Sequence, residues 1–185
     1  MKQTGKKPRL SREAWLAEAL EVLAQDPEHL RIDELAEQLG VSKGSFYWHF
    51  GNRTDFVHSL AEYWRDTRTR VVADTVAAYD GSPEERLYVL MKTLLEDQWG
   101  RYDLAVRAWA RHEPDIVPVI REVDTIRLKT LRGIFDDMGL EESEAKMRTR
   151  VFVTYHSLED ALSIPLSRKE ALDQLETRHA FFTRR

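Results

Sequence analysis

The stretch from residue 32 to residue 50 reads IDELAEQLGVSKGSFYWHF and decides how the first part of the chain folds. Its first half repeats apolar residues at helical spacing, which predicts a short helix with one apolar face. Gly40 can adopt the left-handed conformation that ends such a helix, and Val41 fills the corner that follows. The apolar positions of this first helix are Leu35, Ala36 and Leu39.

The second half of the stretch predicts another short helix, with Ser42 as its cap. Phe46 and Phe50 are four residues apart and therefore point to the same interior. A short helix, a glycine turn and a second short helix make a helix-turn-helix. The second helix of such a unit enters the major groove of DNA, and residues near its N-terminus contact base edges.

The outer face of this second helix carries one cation, small residues and large amphipathic rings. Exposed aromatic rings on a short helix are costly in a monomer, so this face predicts a contact surface. Its residues are Lys43, Gly44, Ser45, Tyr47, Trp48 and His49.

The net charge of the 185-residue chain is −4, which taken as a total argues against a nucleic-acid partner. By segment, residues 1–12 carry +5 and residues 38–54 carry +2, and neither segment contains an acid. Residues 13–37 carry −7 and residues 55–185 carry −4. We therefore expect the basic arm and the second helix to attract phosphate despite the sign of the total.

The whole chain has an all-α pattern, because glycine and proline are few and no long alternating strand pattern is present. We expect a DNA-binding domain at 1–52 and a helical domain for ligand binding and dimerisation at 53–185. The boundary lies at a helix that begins near residue 53, so the two parts would move as a lever. Helices are predicted at about 11–25, 32–39, 43–50, 53–79, 83–99, 102–112, 118–137, 142–163 and 168–183.

Several classes of protein are excluded by composition. The absence of cysteine excludes disulfides, thiolate zinc sites and cysteine nucleophiles, and it fits a reducing cytoplasm. No apolar run is long enough for a membrane helix, and no secretory signal is expected because no apolar stretch follows the basic residues 1–12. The chain contains no GxGxxG, GxxxxGK[ST] or HExxH motif, so we expect neither an enzyme nor a cofactor.

One cluster resembles half of a metal site. His156, Glu159 and Asp160 share a helical face, as in carboxylate–histidine metal sites. The chain offers no second set of ligands for a di-metal bundle, so we interpret the cluster as surface charge and predict no metal.

Residues 12–60 resemble the N-terminal DNA-binding domain of the TetR family of bacterial transcription regulators. The resemblance centres on the pattern LAxxLGVSKGxxYxHFxNR, which residues 35–53 match. It implies a homodimer of nine- or ten-helix chains that binds double-stranded operator DNA with two-fold symmetry. Repression that ends when an effector binds is the usual outcome in this family.

The resemblance also implies roles for individual residues. Tyr47 and His49 occupy the positions of phosphate contacts, and Arg53 stands where a lysine usually holds the DNA backbone. Trp48 lies at a variable position that can reach sugar or phosphate. The positions that read bases are Lys43, Gly44 and Ser45.

The chain departs from the family pattern at two places. The connector at 26–32 lacks the usual glycine and threonine, so the usual cap of the second helix is not assumed. Asp33 stands where some members place an arginine that reads bases, so that contact is not expected. The arm at 1–12 either contacts the minor groove or is a solvated tail.

The rest of the chain is expected to bind a small effector and to form the dimer. Arg101, Arg107, Arg111 and His112 either meet an anionic ligand or belong to a solvated helix face. The candidate effector-binding residues are Trp99, Tyr102, Trp109, His112 and Phe152. The candidate dimer residues form two helical seams, Val151, Tyr155, Leu158 and Leu162, then Leu172, Leu175, His179 and Phe182, and either seam can instead face the chain's own core.

A different class of function is also compatible with these patterns. The exposed aromatic face can belong to an all-α scaffold that binds protein and has no affinity for DNA.

Overall fold

The computed structural model describes residues 10–28, 30–164 and 166–184. Within these residues the chain is all-α, as predicted, with eleven α-helices and no strand. The helices are α1 Arg12–Gln25, α2 Ile32–Gln38, α3 Lys43–His49, α4 Arg53–Arg65, α5 Val71–Ala78, α6 Pro83–Glu96, α7 Trp99–Trp109, α8 Val117–Asp137, α9 Glu142–Leu158, α10 Arg168–Asp173 and α11 Leu175–Thr183.

The helix starts follow local capping chemistry. The side chain of Ser11 accepts a hydrogen bond from the Ala14 amide at 3.1 Å, and that of Asn52 accepts one from the Asp55 amide at 2.9 Å. Capping boxes at Ser82 and Ser167 start α6 and α10. Each of these four caps depends only on residues within one turn.

Ser42 differs from its prediction. It occupies the N-cap position of α3, but its side chain makes no capping hydrogen bond. Its hydroxyl therefore does not compensate the unpaired amides at the start of that helix.

Three predicted helix boundaries are also corrected. The break between α6 and α7 falls at Asp97 and Gln98, where Gln98 has a left-handed φ of 48°, rather than near residue 101. Helix α9 ends at Leu158 and continues as a short 3-10 turn. The last predicted helix is divided at Gln174 into α10 and α11. Propensity alone does not locate such breaks, because tertiary packing selects them.

The helix-turn-helix forms as predicted. Gly40 has a φ of 63°, and the Val41 amide donates to the Ala36 carbonyl at 3.0 Å, which closes the turn. Phe46 and Phe50 are fully buried, with ring centroids 5.0 Å apart. The buried rings fix which face of α3 remains outside.

A continuous helical segment joins the first three helices to the rest of the molecule. Helix α4 continues through a π-helical turn, Asp66–Arg70, into α5 and ends at Ala78. The sequence predicted one helix here, and the structure adds the π-turn. Single π-turns inside α-helices are frequent at functional sites.

Two hydrophobic cores lie along this segment. The first core contains Trp15 and Phe46 from the N-terminal helices together with Trp109 of α7 and Ile120 of α8. The second core joins α5, α6, α8, α9 and α11. Because the first core includes residues from both sides of residue 52, the two expected domains share part of their interior.

None of the described helices has the length and apolar content needed to cross a membrane.

Candidate nucleic-acid interface and ligand cavity

The outer face of α3 presents polar and aromatic groups to solvent. Tyr47 is 54% exposed and Trp48 is 65% exposed, whereas the preceding residue of the same helix, Phe46, is fully buried. Lys43 and Gly44 are exposed as well, and Ser45 and His49 are half-buried. The six residues predicted to contact DNA from this helix therefore lie together on or beside one accessible face.

Gly44 is not required by packing within the chain. A Cβ atom added at this position would meet only the Ser42 Oγ, at 3.6 Å, which is an ordinary contact. The absence of a side chain is consistent with a requirement outside the chain, such as close approach of a partner to the helix backbone.

Both cations of the segment 38–54 are paired with carboxylates from other parts of the chain. The Lys43 Nζ lies 2.7 Å from Asp33 Oδ1, and this hydrogen bond and charge raise the pKa of Lys43. Arg53 pairs with Glu113. The segment itself contains no acidic residue, but in the folded chain Asp33 and Glu113 lie next to its two cations. Exposed pairs of this kind contribute at most about 1 kcal/mol, so a phosphate group can compete for either cation.

The described part of the basic arm packs against the helix-turn-helix. The Arg12 guanidinium lies 5.0 Å from the centroid of the Phe50 ring and donates to Ser59. Arg12 is therefore partly engaged within the chain. Residues 1–9, which carry the rest of the predicted arm, lie outside the described residues.

A second candidate site is a cavity inside the helical body. A cavity of about 50 Å³ lies between the π-turn and helices α5 to α9. Its wall is almost entirely apolar and includes Val72, Leu90, Leu94, Trp99 and Phe152. Cavities with apolar walls and few polar groups are typical ligand sites.

A buried ion pair forms one side of this cavity. Asp103 is 1% exposed and accepts from both terminal nitrogens of Arg127. The Arg127 Nε and Nη2 also donate to the Thr69 Oγ1, at 3.2 Å and 3.0 Å, and its Nη1 donates to the Ser157 Oγ at 3.2 Å. The pair thus ties α7, α8 and α9 to the π-turn.

Like Arg68, His156 is a further polar residue of the wall. Its Nε2 is buried and has no hydrogen-bond partner among the described residues. Burial lowers the pKa of His156 to about 4, so the imidazole is neutral at pH 7. With Leu94 and Trp99, His156 also borders a second, more polar cavity that includes Gln98 and Asp160. These three side chains therefore lie between the two cavities.

Residues 16–60 match the sequence profile of the bacterial regulatory proteins of the tetR family. The match is confined to the helix-turn-helix region, whose helix α3 carries the exposed outer face.

Solved structures with the same fold extend the comparison beyond the profile. A putative TetR-family regulator from Rhodococcus sp. matches with a TM-score of 0.66 and 19% identity, over 93% of this chain and 98% of the other. A transcriptional regulator from Rhodococcus sp. Rha1 matches with a TM-score of 0.62 and 21% identity, over 93% and 97%. A TetR/AcrR-family regulator from Thermobifida fusca YX-ER1 gives 0.60 and 18%, over 94% and 98%. At these identities the likeness shows the fold alone. Comparison with curated protein sequences found no match.

The predicted effector-binding residues occupy different places in the structure. Trp99 and Phe152 line the cavity. Tyr102 and Trp109 instead lie in the first core, and His112 is exposed in the turn after α7. Aromatic spacing on a helix does not distinguish a cavity wall from an ordinary core, so the sequence alone does not separate these positions.

The polar residues of the cavity were missed by sequence reasoning. Asp103 follows Trp99 by four residues on α7, and His156 follows Phe152 by four residues on α9. The sequence could have indicated both residues, because each lies four positions after a candidate aromatic and therefore on the same helical face. His156 was interpreted as surface charge, but its Nε2 is buried. Glu159 from the same cluster pairs with Arg178, and no group of three candidate metal ligands occurs within the part of the chain that is described.

The cations proposed for an anionic effector have partners elsewhere. Arg101 pairs with Glu21 of α1, and Arg107 pairs with Asp124 of α8. Neither arginine lines the apolar cavity.

The two seams considered for the dimer differ in exposure. Val151, Tyr155 and Leu158 are exposed along α9, and Leu162 is 66% exposed just beyond it. Met147, at 63% exposure, extends this stripe by one turn and was missed.

The second seam packs inside the chain. Leu175 and Phe182 are buried in the second core, and Leu172 packs against the same core. The His179 Nε2 lies 2.8 Å from the Glu84 carbonyl oxygen. The second seam therefore faces the chain's own core, which was the alternative considered for it.

Proposed function

We propose that this regulator is a cytoplasmic homodimer that binds a two-fold symmetric operator as a repressor and is released when a small effector occupies the apolar cavity. The observation that carries the proposal is the segment from Arg53 to Ala78. It starts three residues after Phe50 of the helix-turn-helix, and its Thr69 and Val72 line the cavity. One helical segment therefore belongs to both candidate sites.

The division of roles follows from the two sites. Residues 1–52 bind DNA, and residues 53–185 bind the effector and form the dimer. On α3 and at the start of α4, Tyr47, Trp48, His49 and Arg53 contact the sugar-phosphate backbone. The base edges are read by Lys43, Gly44 and Ser45, which lie at the N-terminal end of the helix.

A second copy of the chain is the partner that fits the stripe on α9. The stripe consists of Met147, Val151, Tyr155 and Leu158, with Leu162 beyond it, and it is exposed along its length. Continuous apolar surface of this kind is uncommon on monomers. A two-fold axis through the stripe would pair it with itself and give the symmetry that a palindromic operator requires.

Coupling between the sites uses the continuous helical segment. Phe56 of α4 packs on Phe46 and Phe50, with centroids 5.2 Å and 5.0 Å apart, so α3 follows any movement of α4. An effector that displaces the π-turn or α5 would change the separation of the two recognition helices in the dimer. The effector would weaken DNA binding only to the extent that it binds the altered helix separation more tightly than the separation that fits DNA.

Substitutions on α3 test the assigned DNA contacts. Tyr47→Ala should weaken binding to an operator and to random duplex by a similar factor, because phosphate contacts carry no sequence information. Lys43→Ala should instead relax preference at one operator position, by roughly 1–3 kcal/mol if the lysine reads guanine. Anisotropy titrations against an operator and its single-position variants measure both effects.

Asp33→Asn is the matched control for Lys43. It removes the carboxylate that pairs with Lys43 and leaves the lysine in place. It should tighten binding to every duplex, with a gain that shrinks as salt is raised. An unchanged sequence preference in Lys43→Ala would refute the base-reading assignment.

Charge introduced on α9 tests the dimer. Leu158→Glu should weaken the dimer at least about 100-fold, because a two-fold interface buries the new carboxylate twice. Analytical ultracentrifugation over a concentration series measures the dissociation constant. Val71→Glu changes a similarly exposed apolar residue on α5 and should leave the dimer intact. Equal behaviour of the two variants would exclude α9 as the interface.

A further inference from the structure

We propose that Glu113 is an autoinhibitory residue, a carboxylate of the helical body that is fixed beside Arg53 and opposes the binding of a DNA phosphate there. This inference rests on the proposed function, which assigns Arg53 to the sugar-phosphate backbone. Arg53 is the first residue of α4, and Glu113 lies in the turn after α7, sixty residues further along the chain. The two side chains form an ion pair between Arg53 Nη2 and Glu113 Oε1.

The backbone on both sides of Glu113 is anchored in the first core. The Glu113 amide donates to the Trp109 carbonyl at 3.0 Å, and the Glu113 carbonyl accepts from the Ile116 amide at 3.2 Å. Trp109 and Ile116 are buried and belong to the same core as Phe56 of α4. Packing therefore holds the carboxylate beside the start of α4, and the ion pair is not the only interaction that keeps it there.

The two partners of this ion pair differ in accessibility. The Glu113 side chain is 17% exposed, whereas the Arg53 side chain is 58% exposed. A guanidinium has five N–H donors on three nitrogens, and the contact with Glu113 uses one nitrogen, so a phosphate can meet the open side of Arg53. A phosphate bound there would lie close to the carboxylate of Glu113, and repulsion between the two negative charges would weaken binding.

The ion pair of Lys43 with Asp33 differs in this respect. Both of its side chains are more than half exposed, so Asp33 can turn into solvent when a DNA phosphate approaches. Glu113 is largely covered and its backbone is anchored, so it has less freedom to leave. We therefore expect Glu113 to oppose DNA in the complex itself, and not only before contact.

The contact also connects the helical body directly to the candidate DNA surface. Glu113 lies four residues after the end of α7, and α7 begins at Trp99 in the wall of the apolar cavity. A rearrangement that withdraws Glu113 from Arg53 would raise the affinity for DNA. Glu113→Gln imitates this withdrawal, because it removes the charge and keeps the size of the side chain.

Anisotropy titrations of the full chain with Glu113→Gln test the inference on a selected operator fragment and on random duplex of the same length. Loss of the opposing charge should tighten binding by about twofold to fivefold for each subunit in contact with DNA, the range of an exposed ion pair. The factor should be similar for the two duplexes, because a phosphate contact carries no sequence information. It should fall as salt is raised, because Arg53 lies at the surface.

Two further variants separate this contact from a general change in charge. Asp115→Asn makes the same charge change at an exposed residue of the neighbouring 3-10 turn, and it should tighten binding by less than about twofold. In an Arg53→Gln background, Glu113→Gln should gain no more than Asp115→Asn does. Equal affinities of Glu113→Gln and the unchanged chain would overturn the inference, as would an equal gain from Glu113→Gln with and without Arg53.

A failure of this inference is distinct from a failure of the proposed function. If random duplex binds as tightly as every selected fragment, the proposed operator recognition fails. The gain of Glu113→Gln on random duplex, and its dependence on Arg53, still decide the inference in that case, because binding to random duplex depends on phosphate contacts.

Discussion

Arg127→Met should lower the free energy of unfolding by about 3–5 kcal/mol, because it leaves a buried charge without a partner. The carboxylate of Asp103 is 1% exposed, and Arg127 is its ion-pair partner. The substitution also removes the hydrogen bonds from Arg127 to Thr69 in the π-turn and to Ser157 in α9. Urea unfolding followed by far-UV circular dichroism measures the change.

Two further variants separate the unpaired charge from the loss of a side chain. Arg107→Met breaks a more exposed pair with Asp124 and should cost about 1 kcal/mol or less. The double variant Arg127→Met with Asp103→Leu removes both charges and should recover most of the lost stability. If Arg127→Met were no less stable than Arg107→Met, the buried pair would not have the structural role assigned to it.

Phe46→Ala should destabilise the chain by about 3–5 kcal/mol, the range for loss of a fully buried phenylalanine. Its ring is fully buried, with centroids 5.7 Å from Trp15 and 5.2 Å from Phe56. Because Trp109 of α7 lies in the same core, we expect a single transition that far-UV dichroism and tryptophan fluorescence report together.

Tyr47→Ala is the control for this substitution. Tyr47 is the next residue of the same helix, but it is 54% exposed. Its removal should change stability by no more than about 0.5 kcal/mol and should still weaken DNA binding. A separate early transition of the N-terminal helices in Phe46→Ala would show that the first core is not shared.

The parts of the fold that depend on neighbouring residues were predictable from the sequence. The caps at Ser11, Asn52 and Ser82 and the left-handed Gly40 each act within one or two turns of the chain. The pattern of Phe46 and Phe50 likewise predicts the inner face of α3, and the outer face follows by elimination.

The parts that depend on tertiary contacts were not predictable in the same way. Arg53 belongs to a segment without acids, yet Glu113 reaches it from sixty residues away along the chain. The cavity arises where five helices and the π-turn meet, so no single helical pattern reveals it. For the same reason Trp99 and Trp109 have equivalent sequence signals, although one lines the cavity and the other lies in the first core.

The central claim is that helix α3 recognises a specific operator sequence in DNA. Its most direct test is a fluorescence-anisotropy titration of genomic fragments selected by the protein, at 100–200 mM salt, where non-specific binding is weak (about 10⁻⁴–10⁻⁶ M). We expect a selected fragment to bind at least about 1,000-fold more tightly than random duplex of the same length. If no fragment binds better than random duplex, the claim is contradicted, and the exposed Tyr47 and Trp48 would belong to a protein-binding surface instead.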